Sequence, residues 1–419
     1  MSLLWHTEWP KCVSNPSRLA LWKLRPQSRV SSKATRGRKQ IALLSVPSAL
    51  AVVLNRAPFS SLRRKKHGCS ITVALRAAST PALEPCGSKP LGTPFPLRSF
   101  EDAGLPATAR FLWWERSRAA FSVQAGKLQP GLHPLNMEED WLEVSQPFVY
   151  AEHMASRRAV LSEPSQQAVI VDDVQSHAAQ EELTVLIMQH LAQRFPDRFA
   201  LQKSGESFVF SSLLEGLEWS LADYHDCPLA LASQLVQEDV CIMHEVPQDE
   251  TDADSDKGNP QHLFVAGCVI DSFDASSKHF LPMHDIHHPA VPGYSSQLSS
   301  SMQRLFATLK KPLWRANFSI YEWGYVQEDG TPATGAELLD QLYIKVEYQT
   351  ILRLPKNSNY LVFTIRTHMD PLSSWQSTPH ACSALASQLN SLPEALLEYK
   401  GIGSERVRSC ILSFIDAVS

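Results

Sequence analysis

The sequence predicts an α+β fold: an antiparallel sheet with flanking helices, preceded by a disordered basic N-terminal tail. Three observations carry this. The hydrophobic period is helical over "EELTVLIMQHLAQRF" (181–195), but it is two over "FALQKSGESFVFSS" (199–212) and across 343–368. The strands come in runs joined by short polar turns, the order of an antiparallel sheet rather than of alternating βα units. Charge is divided along the chain. Of 39 Lys and Arg, 17 lie in residues 1–100, where the only acids are Glu8 and Glu84.

The tail, 1–80, is basic and rich in Ser and Ala, the composition of an organelle transit peptide. "VALRA" (73–77) is similar to the cleavage context of plastid precursors, which favours chloroplast over mitochondrion. A nucleic-acid-binding arm or a misplaced start would instead leave the protein cytoplasmic. The apolar run "IALLSVPSALAVVL" (41–54) falls short of the roughly 20 residues a spanning helix needs and contains a proline, so no membrane span is expected. Residues 81–99 form a proline-rich linker, and the folded body runs from 100 to 419. The chain is 44% hydrophobic and 20% charged, ordinary for a globular protein.

Within the body, "GLHPLNMEEDWLEV" (131–144) reads as a turn into a short helix capped by Asn136. Helix 181–195 and the hairpin around Ser204-Gly205 follow, then a mostly helical stretch over 218–237. "DVCIMHEV" (239–246) and "HLFVAGCVIDSF" (262–273) read as paired strands around an acidic insertion, 247–261, with Lys257 as its only base. The spacing of those acids does not match a calcium loop. A helix over 295–311, a strand over 315–323 and a short helix over 335–342 precede the clearest hairpin, "YIKVEYQTILRLP" (343–355) with "YLVFTIRTH" (360–368). Helices over 379–399 and 403–417 end the chain. "KGIGSERV" (400–407) reads as a helix end followed by an N-cap at Ser404, in preference to a phosphate-binding helical hairpin.

Several chemistries are disfavoured. The eight cysteines form no CxxC pair, so zinc ribbons and iron–sulfur runs are not predicted. No GxGxxG after a strand and no Walker loop is present, which predicts no nucleotide cofactor. The acidic body argues against nucleic acid. What remains is "HDIHHPAVPGY" (284–294). His284, Asp285 and His288 offer a zinc or non-haem iron cluster, hence a metal-dependent hydrolase. Alternatively one histidine ligates haem, or all three sit on a polar loop and cap backbone. Pro282 and Pro289 argue against a helix here.

Seven separated segments carry a family resemblance: "GLHPLNMEEDWLEV", "LVQED" (235–239), "IHHPAVPGY", "RANFSI" (315–320), "VEYQTILRLP", "FTIRTH" and "LLEYKG" (396–401). In this order the body, about 95–415, resembles the haem-dependent oxidative N-demethylase alpha-subunit-like family. That resemblance implies a PAS-like antiparallel fold and a bound haem b. It also implies oxidation of an N-methyl group of a small methylated amine by O2, releasing formaldehyde. Electrons would come from an external flavin and iron–sulfur reductase, and a folate-binding partner would take the formaldehyde. The departures are an extra residue in "IHHPAVPG", Tyr348 where the family often has Arg, Phe318 where it often has Trp, and the acidic insertion. Those near the expected pocket put the substrate in question.

By the resemblance His287 is the axial ligand of the haem iron, with His288 its rival because of the extra residue and His284 less favoured. Pro289 and Pro292 would stiffen the loop. Glu347 is the candidate catalytic carboxylate, able to pair with an ammonium or relay protons. Arg353 or Arg366 would hold a haem propionate through a bidentate fork. Arg315 and Asn317 are further candidates at the cofactor. The plainer account of Glu347 is a cross-strand Glu–Arg pair on the sheet. A haem-binding PAS-like sensor or carrier without turnover would need His287 but not Glu347.

Overall fold

The computed structural model describes residue 108 and residues 122–124, 127–162, 170–247, 260–270, 272–323 and 333–418. The transit peptide and linker expected over 1–99, and nearly all of the acidic insertion, lie outside the described residues.

Period-two sequence becomes one seven-stranded sheet. Its members are β3 (His133–Pro134), β4 (Ile170–Val171), β8 (Asp239–Val246), β9 (Gln261–Cys268), β10 (Leu313–Glu322), β11 (Leu342–Arg353) and β12 (Tyr360–Pro371). They lie in the order β3-β10-β11-β12-β8-β9-β4, every neighbour antiparallel. A two-stranded ribbon, β1 (Ser122–Gln124) and β2 (Lys127–Gln129), stands apart. So does a three-stranded sheet of β5 (Phe199–Ser204), β6 (Ser207–Ser212) and β7 (Leu217–Ser220). The fold is α+β with an antiparallel sheet, as the periodicity predicts.

The helices are α1 (Met137–Asp140), α2 (Pro147–Ser162), α3 (His177–Arg194), α4 (Pro228–Ala232), α5 (Met283–His287), α6 (Ser299–Ala307), α7 (Gly335–Gln341), α8 (Pro379–Ser391), α9 (Glu394–Tyr399) and α10 (Glu405–Val418). Among the described residues no helix is long and apolar enough to cross a membrane. Asn136 caps α1 as expected, its side chain accepting from the Glu138 amide. Two expectations are corrected. The stretch 218–237 is not mostly helical: β7 takes its first residues, because Trp219 sits opposite Phe210 in the register of β6. The helix expected from 295 begins instead with a π-helical turn, Tyr294–Leu298, set off by Gly293 in the left-handed region, and α6 proper starts at Ser299.

The sheet has two distinct faces. On one, Tyr348 donates to the Asp140 carbonyl at 2.8 Å and Arg366 reaches α2 and the segment before it. On the other, Phe363 of β12 meets Phe306 of α6 at a centroid distance of 5.7 Å. The long β11–β12 hairpin is held at its turn by α3. There Glu182 accepts from the Lys356 and Asn357 amides at 2.7 and 2.8 Å, so its carboxylate satisfies turn donors that would otherwise be orphaned.

Asp239 fixes the other end. Its Oδ1 accepts from Arg157 Nη1 at 3.2 Å and from the Ile270 amide at 2.9 Å, and its Oδ2 from the Ser272 amide at 3.0 Å and hydroxyl at 2.8 Å. One buried carboxylate thereby ties α2, β8 and the segment after β9. Asp239→Ala leaves the Arg157 guanidinium buried without this partner. It is expected to cost about 3–5 kcal/mol in denaturant unfolding.

Candidate functional site

The histidine segment is a one-turn helix, not the loop that its prolines suggested. Pro282 stands at the N-cap, where its missing N–H costs nothing, and Pro289 lies beyond the end of α5. The helical turn carries His287 back over Met283, and His287 Nδ1 lies 2.9 Å from the Met283 carbonyl oxygen. A carbonyl only accepts, so Nδ1 carries the proton and Nε2 keeps its lone pair. The ring also stacks on Tyr294 at 4.9 Å and 13°. Burial pulls the His287 pKa down to about 4. The Met283 bond opposes this, while Arg315, Lys278 and His284 add to it. The result is a neutral, oriented imidazole with a donor nitrogen available, which is what a metal ligand requires.

The neighbouring histidines are spent differently. His284 Nδ1 pairs with the Ser299 hydroxyl at 3.0 Å, and the exposed His288 with the Ser295 hydroxyl at 2.7 Å. Asp285 is exposed. Among the described residues no group of three or more His, Cys, Asp or Glu is placed to hold a metal ion, so the three-ligand cluster is not assembled.

A polar patch of sheet includes Arg315, whose charge acts on His287. The register sets Asn317 against Glu347 and Arg315 against Gln349, and Glu347 in turn against Thr367. All therefore share one face. Glu347 Oε1 pairs with Lys345 Nζ at 2.8 Å, and its Oε2 accepts from Asn317 Nδ2 at 3.3 Å and Gln349 Nε2 at 3.0 Å. Burial pushes its pKa up, but Lys345 and these hydrogen bonds outweigh burial and hold it below the ordinary carboxylate range. Lys400, just past α9, donates to Asn317 Oδ1 at 3.1 Å and to the Phe318 carbonyl at 2.8 Å. Its pKa falls to about 7 through burial and the Arg315 charge, with Glu347 opposing. Burial brings Arg315 down to about 10.

These groups are desolvated yet not sealed. The Glu347 side chain keeps 17% exposure, and His287, Arg315, Asn317 and Gln349 are all partly accessible. Strong desolvation with residual access describes a recess. Arg315 is the link between the two: its charge lowers the His287 pKa, and it feels the charge of Glu347.

The other two predicted arginines are not brought there. Arg366 pairs in register with Tyr348, on the face opposite Glu347. It is buried there, donating to the Ser145 hydroxyl at 3.0 Å beside His153 and Glu143. Arg353 shares the parity of Glu347 but sits at the strand's end. Its guanidinium is taken by the carbonyls of Phe306, Leu309 and Ser358 and by Glu245. The ion pair of Glu347 is made with Lys345, two residues away on the same strand, while Arg315, diagonal to it on β10, feels its charge.

The family model described as haem-dependent oxidative N-demethylase, alpha subunit-like, matches residues 131–409. The chain belongs to that family. The match takes in His287, Glu347, Arg315, Asn317 and Lys400. Two departures from the family pattern lie off the recess rather than near it. Tyr348 and Phe318 are both buried on the opposite face, where Tyr348 packs against Trp314. Sequence reading missed Lys345, Tyr294 and Lys400. Parity alone would have found Lys345, which sits two residues from Glu347. Lys400 was visible only as part of "LLEYKG".

Two predictions follow from the separation of faces and charges. Arg366→Met strips Glu143 and His153 of a buried partner and is expected to lower stability by about 3–5 kcal/mol, read by denaturant unfolding. Glu347 has a folded pKa below its unfolded value of 4.5, so its contribution is present above pH 4.5 and lost as pH falls below it. The acid limb of the stability curve is therefore expected to be shallower in Glu347→Gln than in wild type.

Proposed function

We propose that the protein is a haem-dependent oxygenase of N-demethylase type, acting on a small amine that carries an N-methyl group. One observation carries the reading: the His287 imidazole is held neutral with Nδ1 tied to Met283 O, and Arg315 links it to the ionised Glu347, its charge acting on the histidine while it feels that of the carboxylate. The residues present fit haem b. His287 Nε2 would hold the haem iron. Arg315, whose charge is felt at His287, would neutralise a propionate in place of Arg353 or Arg366. The antiparallel sheet is consistent with the PAS-like architecture implied by the resemblance.

When bound, haem would supply the oxidising chemistry, by which O2, two external electrons and two protons convert the N-methyl amine to the demethylated amine, formaldehyde and water. The chain's own residues do the rest. Glu347 attracts the substrate's ammonium through its fixed negative charge and orients the N-methyl group by that contact. Lys345, Asn317 and Gln349 keep the carboxylate ionised, so it can accept the O–H proton of the N-hydroxymethyl group as the C–N bond breaks and the C=O bond forms, and return it to the leaving nitrogen. Desolvation of the recess strengthens both contacts. The chain itself carries no flavin or iron–sulfur signature, so the reading includes an external reductase as electron donor, and a folate-binding partner as formaldehyde acceptor. The proposed location is the chloroplast.

The test is spectroscopic first. Residues 95–419 from haem-supplemented cells are expected to show a Soret band that is lost in His287→Ala and kept in His288→Ala. With a reductase and dimethylamine, wild type should release formaldehyde. Glu347→Gln should keep the Soret band and lose turnover by about 10²-fold or more. A Soret band with no turnover in wild type would leave the sensor or carrier reading. No Soret band, with bound zinc instead, would overturn the haem reading.

A further inference from the structure

We propose that Lys400 is a positioning residue for Glu347, acting through Asn317, and that the "KGIG" turn (400–403) serves to deliver it. The inference rests on the reading of Glu347 given above and deepens it.

Lys400 is 1% exposed, so its ammonium has no solvent role. As an ammonium it can only donate, and it donates to Asn317 Oδ1 at 3.1 Å and the Phe318 carbonyl at 2.8 Å, lying 4.3 Å from the centre of the Phe318 ring. A side-chain amide has one accepting oxygen and one donating nitrogen. With Oδ1 turned to Lys400, Nδ2 faces Glu347 Oε2, at 3.3 Å. The reversed amide would set NH2 against an ammonium and oxygen against a carboxylate, two repulsive contacts at once. Lys400 thus selects the Asn317 orientation that stabilises the ionised carboxylate.

The delivery is built into the backbone. The Ile320 amide donates to the Lys400 carbonyl at 2.8 Å, docking the end of α9 on β10. Gly401 has φ +77°, and a Cβ there would stand 2.1 Å from Ile320 O. A Cβ at Gly403 would stand 2.9 Å from Glu398 Cα. Only glycines let the chain approach this closely, and the approach is what puts Lys400 over Asn317. The groups facing Glu347 are then Lys345 and Gln349 from β11, Arg315 and Asn317 from β10, Thr367 from β12, and Tyr399 and Lys400 from the end of α9.

The test reads the carboxylate directly. Infrared spectra of the full chain are titrated with pH, the Glu347 band being assigned by its loss in Glu347→Gln. Lys400→Met is expected to raise the Glu347 midpoint by about one unit or more, and Lys400→Arg to restore part of the shift. In an Asn317→Leu background, Lys400→Met should add much less, because the intermediary is gone. Equal shifts in both backgrounds, or none in either, would overturn the proposal. Should Lys400→Met not fold, a neutron structure of wild type decides: Asn317 Oδ1 facing Lys400 supports the role, and the reversed amide overturns it. A non-additive infrared result beside a Glu347→Gln that still demethylates would uphold the coupling and overturn the function given to Glu347.

Discussion

The register of β11 against its two neighbours governs the rest of the molecule. Side chains alternate strictly across a strand, so a slip of one residue would carry Lys345, Glu347 and Gln349 into the packed face and bring Val346, Tyr348 and Thr350 to the recess. Neither set tolerates the exchange. The first contains charges that need partners, and the second includes Val346, Tyr348 and Thr350, all almost fully buried. The register is pinned at the turn by Glu182 and at the neighbouring strand end by Arg353 with Glu245. Groups far from the recess therefore decide which side chains line it.

The two faces divide labour. The buried face uses polar groups as structural cross-links. Arg366, His153, Gln237, Glu143 and His368 join α2 and the residues before it to β12, and His368 meets Glu143 at 2.7 Å. The recess face uses the same kinds of group but leaves His287, Arg315, Asn317, Glu347 and Gln349 partly accessible, while Lys345 and Lys400 are buried. Burial shifts pKa values on both, so a shifted titration alone would not tell site from scaffold. His153 is driven down to about 2 and His287 to about 4, both chiefly by desolvation. What separates them is geometry. His153 Nδ1 lies among Gln237 and Arg366, whereas the Nδ1 bond of His287 turns the accepting nitrogen away from the helix that carries it.

Much of this was legible in the sequence. Period two gave β10, β11 and β12, and the same parity placed Glu347 with Gln349. The prolines around "HDIHH" were read too strongly, because a proline at an N-cap or past a helix end breaks nothing. Choosing among Arg315, Arg353 and Arg366 failed for a different reason. An arginine's reach exceeds the spacing between strands, so its partners come from elements that sequence does not place. Ser145 and Glu143 lie more than 200 residues before Arg366. Lys400 was hidden in the same way: its motif was visible, but its closeness to Asn317 arises only once α9 docks on β10.

The position of the family departures bears on how far the recess itself has diverged. Phe318 and Tyr348 replace residues that the pattern often gives as Trp and Arg, yet both face away from His287 and Glu347. Tyr348 spends its hydroxyl on the Asp140 carbonyl, and the Phe318 ring lies under the Lys400 ammonium. Both side chains belong to the buried face, and neither is among the charged groups of the recess. The Phe318 ring still touches function indirectly. It is one wall of the pocket that holds Lys400, and Lys400 orients the amide beside Glu347. A substitution on the buried face can in this way tune the carboxylate across the sheet without entering the recess, because Lys400 touches both the Phe318 ring and the Asn317 amide that donates to Glu347.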